Sequence, residues 1–144
     1  YTPKLLTLQR FGPAILNRER PMSVQDLASV AQHYVHALNN KDLSAIEALF
    51  AADATVEDPV GADIIQGTEA ILAFYARGME MGLSLALSGT VRVAGNSIAF
   101  PFVINMEAGG QKTRIEVIDV FDLNDQGKVQ SMRAYWGPEN TTVA

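Results

Sequence analysis

The pattern of apolar and polar residues changes its period once along the chain, near residue 80. Before that point, apolar residues recur at steps of three and four, as they do along one face of an amphipathic helix. This pattern predicts helices at about 23–40, 42–51 and 67–78, with Ser23 and Asp26 capping the first. A short strand, ATVED, separates the second helix from the third and ends at a proline.

Beyond residue 80, apolar residues alternate with polar ones, which is typical of β-strands. The predicted strands are LSLALSG, NSIAFPFVINMEAGG, QKTRIEVIDVFDLND and GKVQSMRAYWG, and the predicted hairpin turns are AGGQ and LNDQG. Helices followed by a long antiparallel run predict an α+β fold in which the helices cover one face of a sheet.

The predicted strands place apolar side chains on a common face. The inward positions are Ile98, Phe100, Phe102, Ile104 and Met106 on one strand, and Met132, Ala134 and Trp136 on another. Together they predict a concave apolar surface beneath the helices. Apolar alternation alone is typical of an ordinary core, so the case for a ligand pocket depends on the polar residues within this surface.

Asp119 is the least expected of these polar residues. In TRIEVIDVFDL it shares a strand face with Ile115, Val117 and Phe121, whereas the nearby cation, Arg114, lies on the opposite face. An ionised carboxylate among apolar side chains is very costly without a cation. Asp119 is therefore predicted to stay protonated at neutral pH, which makes it a hydrogen-bond donor.

Two further polar residues are predicted to face the same surface. Tyr34 lies in the middle of the apolar stripe of the first helix, and Asp58 ends the short strand on the same side as Val56. Each also has a structural interpretation. Tyr34 would then be a core residue bonded to a backbone carbonyl, and Asp58 a solvated loop residue or part of an Asx-turn.

One ionised carboxylate at the rim of an apolar pocket and two neutral donors at its floor suit one kind of chemistry. The carboxylate removes a proton next to a carbonyl group, and the donors stabilise the enolate oxygen that results. This chemistry needs no metal, nucleotide or electron carrier, so no cofactor is predicted.

Composition limits the possible partners. The chain has 144 residues, of which 48% are hydrophobic and 19% charged, as in a single soluble globular domain. A net charge of −5 argues against nucleic acid or an anionic membrane as partner, and no apolar run reaches transmembrane length. The absence of cysteine excludes disulfides and thiolate metal sites.

Residues 1–21 differ in charge from the rest of the chain. They carry a net charge of +3, which leaves −8 on residues 22–144. The segment lacks an initiator methionine and is followed directly by Met22. It is predicted to be an N-terminal extension, either a targeting or membrane-contacting arm or simply additional upstream sequence. The folded domain is predicted at 22–144.

Several segments resemble bacterial Δ5-3-ketosteroid isomerase, a family of the nuclear-transport-factor-2-like (SnoaL-like, cystatin-like) superfamily. They are QHYVHALNNKDL, ADATVEDPVG, AFYARG and VIDVFDLNDQGKVQSMRAYWG, in that order and spacing. The similarity runs from about Met22 to the C-terminus. It implies a cone-shaped, curved, mixed or antiparallel sheet packed against three N-terminal helices, and commonly a homodimer.

The resemblance also implies an activity, the conversion of Δ5- to Δ4-3-ketosteroids by proton transfer from C4 to C6. It assigns Asp58 as the base, and Tyr34 together with Asp119 as the oxyanion hole. A carboxylic acid that stays neutral at pH 7, the role implied for Asp119, is an established feature of this family. It assigns Tyr75 as hydrogen-bonding support for Tyr34. The implied apolar substrate contacts are Phe102, Met132 and Trp136.

Two other functions stay open from the sequence. One is a different enzyme on the same fold, such as a cyclase, dehydratase or epoxide hydrolase, and the other is a non-catalytic steroid- or lipid-binding protein. The first usually needs a histidine or further acid–base partners, but His33 and His36 lie off the Tyr34 stripe. The second, a non-catalytic binding protein, would not require the Asp58 carboxylate.

A small diffusible substrate and the lack of a recognisable signal peptide predict a cytoplasmic bacterial protein.

Overall fold

The computed structural model describes residues 22–144, and its first part is mainly helical. The elements there are α1 (Val24–Asn39), α2 (Leu43–Leu49), β1 (Phe50–Glu57), β2 (Ile65–Gln66) and α3 (Thr68–Glu80). The sequence predicted each helix to within a few residues and β1 in part, whereas β2 was missed because two residues show no period. The predicted extension at 1–21 lies outside the described residues.

Helix α1 begins at the predicted cap. The Ser23 side chain accepts a hydrogen bond from the backbone N–H of Asp26, and the Asp26 carboxylate accepts one from the backbone N–H of Ser23. The predicted stripe is buried except at its first position, because the Val24 side chain is 65% exposed at the helix end. The buried residues of α1 are Leu27, Val30, Ala31, Tyr34, Ala37 and Leu38.

The second part of the chain is a series of strands. They are β3 (Ser84–Leu87), β4 (Arg92–Ala94), β5 (Ser97–Ala108), β6 (Gln111–Leu123), β7 (Val129–Tyr135) and β8 (Thr141–Val143). The long β5–β6 hairpin turns at Gly109 and Gly110, whose φ angles of 61° and 81° are those that a two-residue hairpin turn requires. The AGGQ turn is thus confirmed, whereas β4 and β8 were not predicted.

The eight strands form one mixed sheet in the order β2-β1-β7-β6-β5-β3, with β4 added to β5 and β8 to β6. All the pairings are antiparallel except one, since β1 pairs with β7 in parallel. The antiparallel run predicted beyond residue 80 is confirmed, since β3 pairs with β5, β5 with β6 and β6 with β7 in antiparallel fashion, whereas the parallel pairing of β1 with β7 was not predicted. Strands so distant in sequence carry no turn signal that would reveal their pairing. The parallel pairing brings the ends of β1 and β7 to the same edge of the sheet, with Glu57 beside Arg133.

The core lies between the helices and the inner face of the sheet. Along β6, Ile115, Val117, Asp119 and Phe121 are all buried, whereas Arg114 on the other face is exposed. The alternation predicted from TRIEVIDVFDL is therefore confirmed. Three helices on a curved mixed sheet make up the predicted α+β fold.

Candidate active site

A cavity of about 400 Å³ lies between the helices and the inner face of the sheet, within the size range of ligand pockets. Its wall is mostly apolar, and α1, α3, β5 and β6 all contribute to it. Five of the residues predicted for the site line it, namely Tyr34, Asp58, Tyr75, Phe102 and Trp136. The fold thus brings together side chains that are up to 102 positions apart in the sequence.

Tyr34 and Tyr75 form a buried pair at the closed end of this cavity. Their hydroxyl oxygens are 3.0 Å apart, and the two side chains are only 3% and 4% exposed. The Tyr34 ring also packs edge-on against Phe121, with ring centroids 5.0 Å apart. Burial, the neighbouring Tyr75 and the nearby carboxyl of Asp119 raise the pKa of Tyr34 well above its usual value. Tyr34 therefore stays neutral, and when Tyr75 donates to it, its own hydrogen is left for a ligand.

Asp58 follows the end of β1 and is half-buried at the cavity wall. Trp136 follows the end of β7, and its indole N–H donates a 2.7 Å hydrogen bond to Oδ1 of Asp58. Burial raises the pKa of Asp58, and this hydrogen bond acts in the opposite direction because it stabilises the charged form. The loop interpretation of Asp58 is not supported, since its carboxyl faces the cavity and bonds to a distant side chain.

Asp119 lies in the middle of β6, opposite Phe100 of β5 on one side and Ala134 of β7 on the other. The side chain is 1% exposed, and neither carboxyl oxygen makes a hydrogen bond to any described residue. Burial raises the pKa of Asp119 well above its usual value, and the negative charge of Asp58 adds to this effect. Tyr34 is near enough to oppose the shift, but not in a geometry that completes a hydrogen bond. Its surroundings therefore favour the neutral form of the carboxyl.

Two predicted site residues lie beneath the cavity wall rather than on it. Asp119 and Met132 are each 1% exposed and do not line the cavity. Asp119 is still close to the site, because its charge would raise the pKa of both Tyr34 and Tyr75. The structure therefore brings Tyr34, Asp58, Tyr75 and Asp119 close enough to interact electrostatically, and Met132 is buried nearby.

Sequence reasoning missed two features of the site. Trp136 was predicted as an apolar contact only, yet it is also a hydrogen-bond donor to Asp58. This role depends on the parallel pairing of β1 with β7, which no sequence signal revealed. Arg77, on α3, was not predicted to line the cavity but does so. His33 and His36 are both exposed on α1, away from the cavity, as predicted.

The polar residues of the site do not form a metal centre. Among residues 22–144, no group of three or more histidine and acidic side chains is placed to hold a metal ion. No helix in the same range is both long enough and apolar enough to cross a membrane.

The chemistry that the polar residues of the cavity offer is a carboxylate base next to neutral hydrogen-bond donors in an apolar cavity.

Comparison with protein families matches residues 31–132 to the SnoaL-like domain. The chain belongs to this family. The match covers more than half of the chain and includes Tyr34, Asp58, Tyr75 and Asp119. The superfamily predicted from the sequence is therefore confirmed.

Individual relatives of this SnoaL-like domain have two kinds of activity. A steroid Delta-isomerase of Nocardioides simplex is 41% identical over 122 residues, which span 85% of this chain and 98% of that protein. The epoxide hydrolase LasB of Streptomyces lasalocidi is 29% identical over 114 residues, 75% of this chain but only 40% of that protein. The first relative supports the predicted isomerase class.

A solved structure agrees with the fold. The epoxide hydrolase/cyclase-like enzyme SalBIII, studied for pyran ring formation in the polyether salinomycin, superposes with a TM-score of 0.78. Its sequence is 28% identical, and the match covers 83% of this chain and 97% of SalBIII. The same fold therefore carries both isomerase and epoxide-opening chemistry, and the site residues must decide between them.

Proposed function

We propose that this protein is a steroid Δ-isomerase, which converts Δ5-3-ketosteroids into their conjugated Δ4 isomers. One observation carries the proposal: a half-buried carboxylate, Asp58, faces the same apolar cavity as the Tyr34–Tyr75 pair, with the neutral carboxyl of Asp119 beside it. The 41% identity to a steroid Delta-isomerase over most of the chain supports the reaction class.

In this proposal Asp58 is the base. A Δ5-3-ketosteroid carries an acidic proton on C4, between the carbonyl and the double bond. Asp58 removes that proton and returns it at C6, so that one carboxylate serves both steps and the net charge is unchanged. Its pKa is raised by burial, which strengthens it as a base, while the Trp136 hydrogen bond limits this rise and orients the carboxylate.

Tyr34 and Asp119 are proposed to stabilise the dienolate oxygen as an oxyanion hole. Both groups are neutral and buried, so each has a hydrogen to donate where negative charge develops. Asp119 has no other hydrogen-bond partner among the described residues. Tyr75 supports Tyr34 from behind through their 3.0 Å contact. Tyr34 lines the cavity and is held by Tyr75 before the reaction, whereas Asp119 lies directly behind the cavity wall.

The apolar wall suits a flat hydrocarbon substrate. Phe102 and Trp136 line the cavity and would contact the rings, with Met132 packed behind them. Burial of apolar surface contributes roughly 25 cal/mol per Å2 before the costs of association. No step in this mechanism uses a cofactor.

The epoxide-opening relatives define the second candidate function. Opening an epoxide needs an acid for the departing oxygen and a base for the nucleophile, and Asp119 and Asp58 could fill these roles. Isomerisation is favoured because the chain is more similar to the isomerase over a larger share of both proteins.

Parallel assays of the purified protein distinguish the two activities. One follows conjugated-enone absorbance after mixing with a Δ5-3-ketosteroid, and the other follows diol or cyclic-ether formation from an aliphatic epoxide by mass spectrometry. Rapid enone formation with no epoxide conversion is the expected result. Epoxide conversion without enone formation would show that the proposed reaction is wrong.

We also infer a homodimer formed through the outer face of the sheet. Ile118 and Tyr135 are register partners on β6 and β7, and they are 48% and 42% exposed. They border a groove of about 710 Å³ that none of Tyr34, Asp58 and Tyr75 lines. Exposed apolar residues side by side on a sheet are typical of an interface.

A cytoplasmic location stays a prediction.

A further inference from the structure

The active-site cavity has a closed end and an open end, and the residues at the open end have no role in the proposed chemistry. Tyr34 and Tyr75 mark the closed end, since they are 3% and 4% exposed. Met81, which follows α3, also lines the cavity but is 56% exposed. It is six residues beyond Tyr75, or about 9 Å along the helix axis. A ligand whose carbonyl lies at the closed end therefore presents its far end near Met81.

One face of α3 forms the wall of this open end. Phe74, Arg77, Gly78 and Met81 have the spacing i, i+3, i+4 and i+7, which places them on the same side of the helix. All four line the cavity. Phe74, Gly78 and Met81 are apolar or small, like most of the cavity wall. Arg77 is the exception, because its side chain is charged.

Arg77 is a positively charged residue of this wall that has no counterion among residues 22–144. Among the described residues that line the cavity, it is the one positively charged side chain, and Asp58 is the one acidic side chain. Asp58 is already bonded to Trp136. Arg77 makes no ion pair and no side-chain hydrogen bond with any residue in the range 22–144. Arg77 is an exposed residue, so its guanidinium remains available to a ligand.

Gly78 leaves space next to Arg77. Its backbone has an ordinary helical conformation, and an added Cβ would meet only Leu83 Cδ1, at 3.7 Å, which is an ordinary contact. The backbone therefore does not require glycine. In a helix interior, glycine is less favourable than alanine. The effect of this glycine is to widen the open end of the cavity beside the guanidinium.

We propose that the open end is a subsite for a carboxylate on the distal ring of the ligand, with Arg77 as its specificity-determining residue. The substrate class is then a 3-ketosteroid with an acidic substituent at or near C17, rather than a purely neutral one. Arginine suits this role because its planar guanidinium pairs with a carboxylate through two parallel hydrogen bonds. The choice of a steroid rests on the proposed function, whereas the preference for an acidic substituent rests on Arg77 and Gly78.

A matched pair of substrates tests the subsite. A Δ5-3-ketosteroid with a C17 carboxylate is compared with its methyl ester on wild type and on Arg77→Gln. The variant should lower kcat/KM for the acid by about threefold to fivefold, mainly through KM, and leave the ester within twofold, as expected for a solvent-exposed ion pair. The difference should disappear at high salt.

Arg92→Gln is the control, because it removes the same charge from β4, outside the cavity lining. Equal losses for the acid in Arg77→Gln and Arg92→Gln would show a general effect of charge and overturn the subsite. So would equal losses for acid and ester in Arg77→Gln.

A binding measurement separates the subsite from the reaction. Trp136 is the only tryptophan of the chain and lines the cavity, so its fluorescence reports occupancy without turnover. A phenolic steroid with a C17 carboxylate is titrated beside its methyl ester. Tighter binding of the acid that is lost in Arg77→Gln supports the subsite even if no isomerisation occurs. Equal binding of acid and ester, or no binding of either, overturns it.

Discussion

Asp58 and Asp119 carry the same functional group, and their different surroundings suit the different roles proposed for them. Asp58 lies at the end of a strand and is half-buried, and it accepts a hydrogen bond from Trp136 that stabilises its charge. Asp119 is buried in mid-strand without a hydrogen-bond partner among the described residues, and this burial raises its pKa well above the usual value. A pair of acids whose pKa values are separated in this way can act as a base and a donor at the same pH.

Replacing Trp136 with phenylalanine should move the acid limb of the kcat/KM profile to higher pH. The indole N–H stabilises the Asp58 carboxylate, so its loss raises the pKa of Asp58 further. Because the base works only when ionised, activity is then lost at a higher pH. Phe102→Leu, which alters the cavity wall without touching this bond, is the control. An acid limb that stays in place in Trp136→Phe would mean that the bond does not tune the base.

Replacing Asp119 with leucine should change the pH dependence of stability. The raised pKa of Asp119 means that the folded protein holds a proton that the unfolded chain releases above about pH 4. Wild type therefore loses stability as pH rises toward the folded pKa, whereas the variant has no such loss. Between pH 5 and pH 8, the free energy of unfolding of the variant, measured in urea, should therefore rise relative to that of wild type. A difference in free energy of unfolding that does not change with pH would show that Asp119 is charged in the fold.

Of these site residues, the sequence predicted best those whose surroundings are local. Asp119 was found because its apolar neighbours lie on its own strand, at alternate positions. The Asp58–Trp136 bond was not found, because it joins residues 78 positions apart through a parallel pair of strands. The role of Tyr75 was suggested by the resemblance alone, whereas the roles of Asp58 and Tyr34 were first inferred from their positions on apolar faces, beside structural interpretations that stayed open.

At the level of the elements, period and turn chemistry predicted most of the fold. Steps of three and four marked the three helices, alternation marked β5, β6 and β7, and paired glycines marked the long hairpin. The strands of two or three residues are too short for a period and were missed. The pairing of β1 with β7 was also missed, since it depends on packing between distant segments.

The capping pair of α1 is a test at this scale. Ser23→Ala removes the side-chain acceptor of the Asp26 N–H and should lower the free energy of unfolding by about 1 kcal/mol. The cap lies outside the cavity lining, so kcat should change little. Thermal melting and steady-state assays measure the two effects. A large fall in kcat at unchanged stability would mean that the cap positions Tyr34 more directly than its contacts indicate.

The whole molecule is expected to work as a dimer, because its outer sheet face exposes neighbouring apolar side chains. Sedimentation should give twice the mass of the 15.6 kDa chain. Ile118→Lys should shift this equilibrium toward the monomer, because it places a charge in the apolar patch. Ile64→Lys is the matched control, since Ile64 is 62% exposed and lies outside β6 and β7. A wild-type monomer at tens of micromolar would exclude the dimer.

The most direct test of the mechanism is the turnover number of Asp58→Asn with a Δ5-3-ketosteroid, measured by enone absorbance. Asparagine keeps the shape of the side chain and removes the base, so kcat should fall by at least about 10²-fold. Binding of a phenolic steroid, followed through Trp136 fluorescence, should be retained, which shows that the cavity is intact. Near-normal turnover in Asp58→Asn would contradict the assignment of Asp58 as the base, and with it the proposed mechanism.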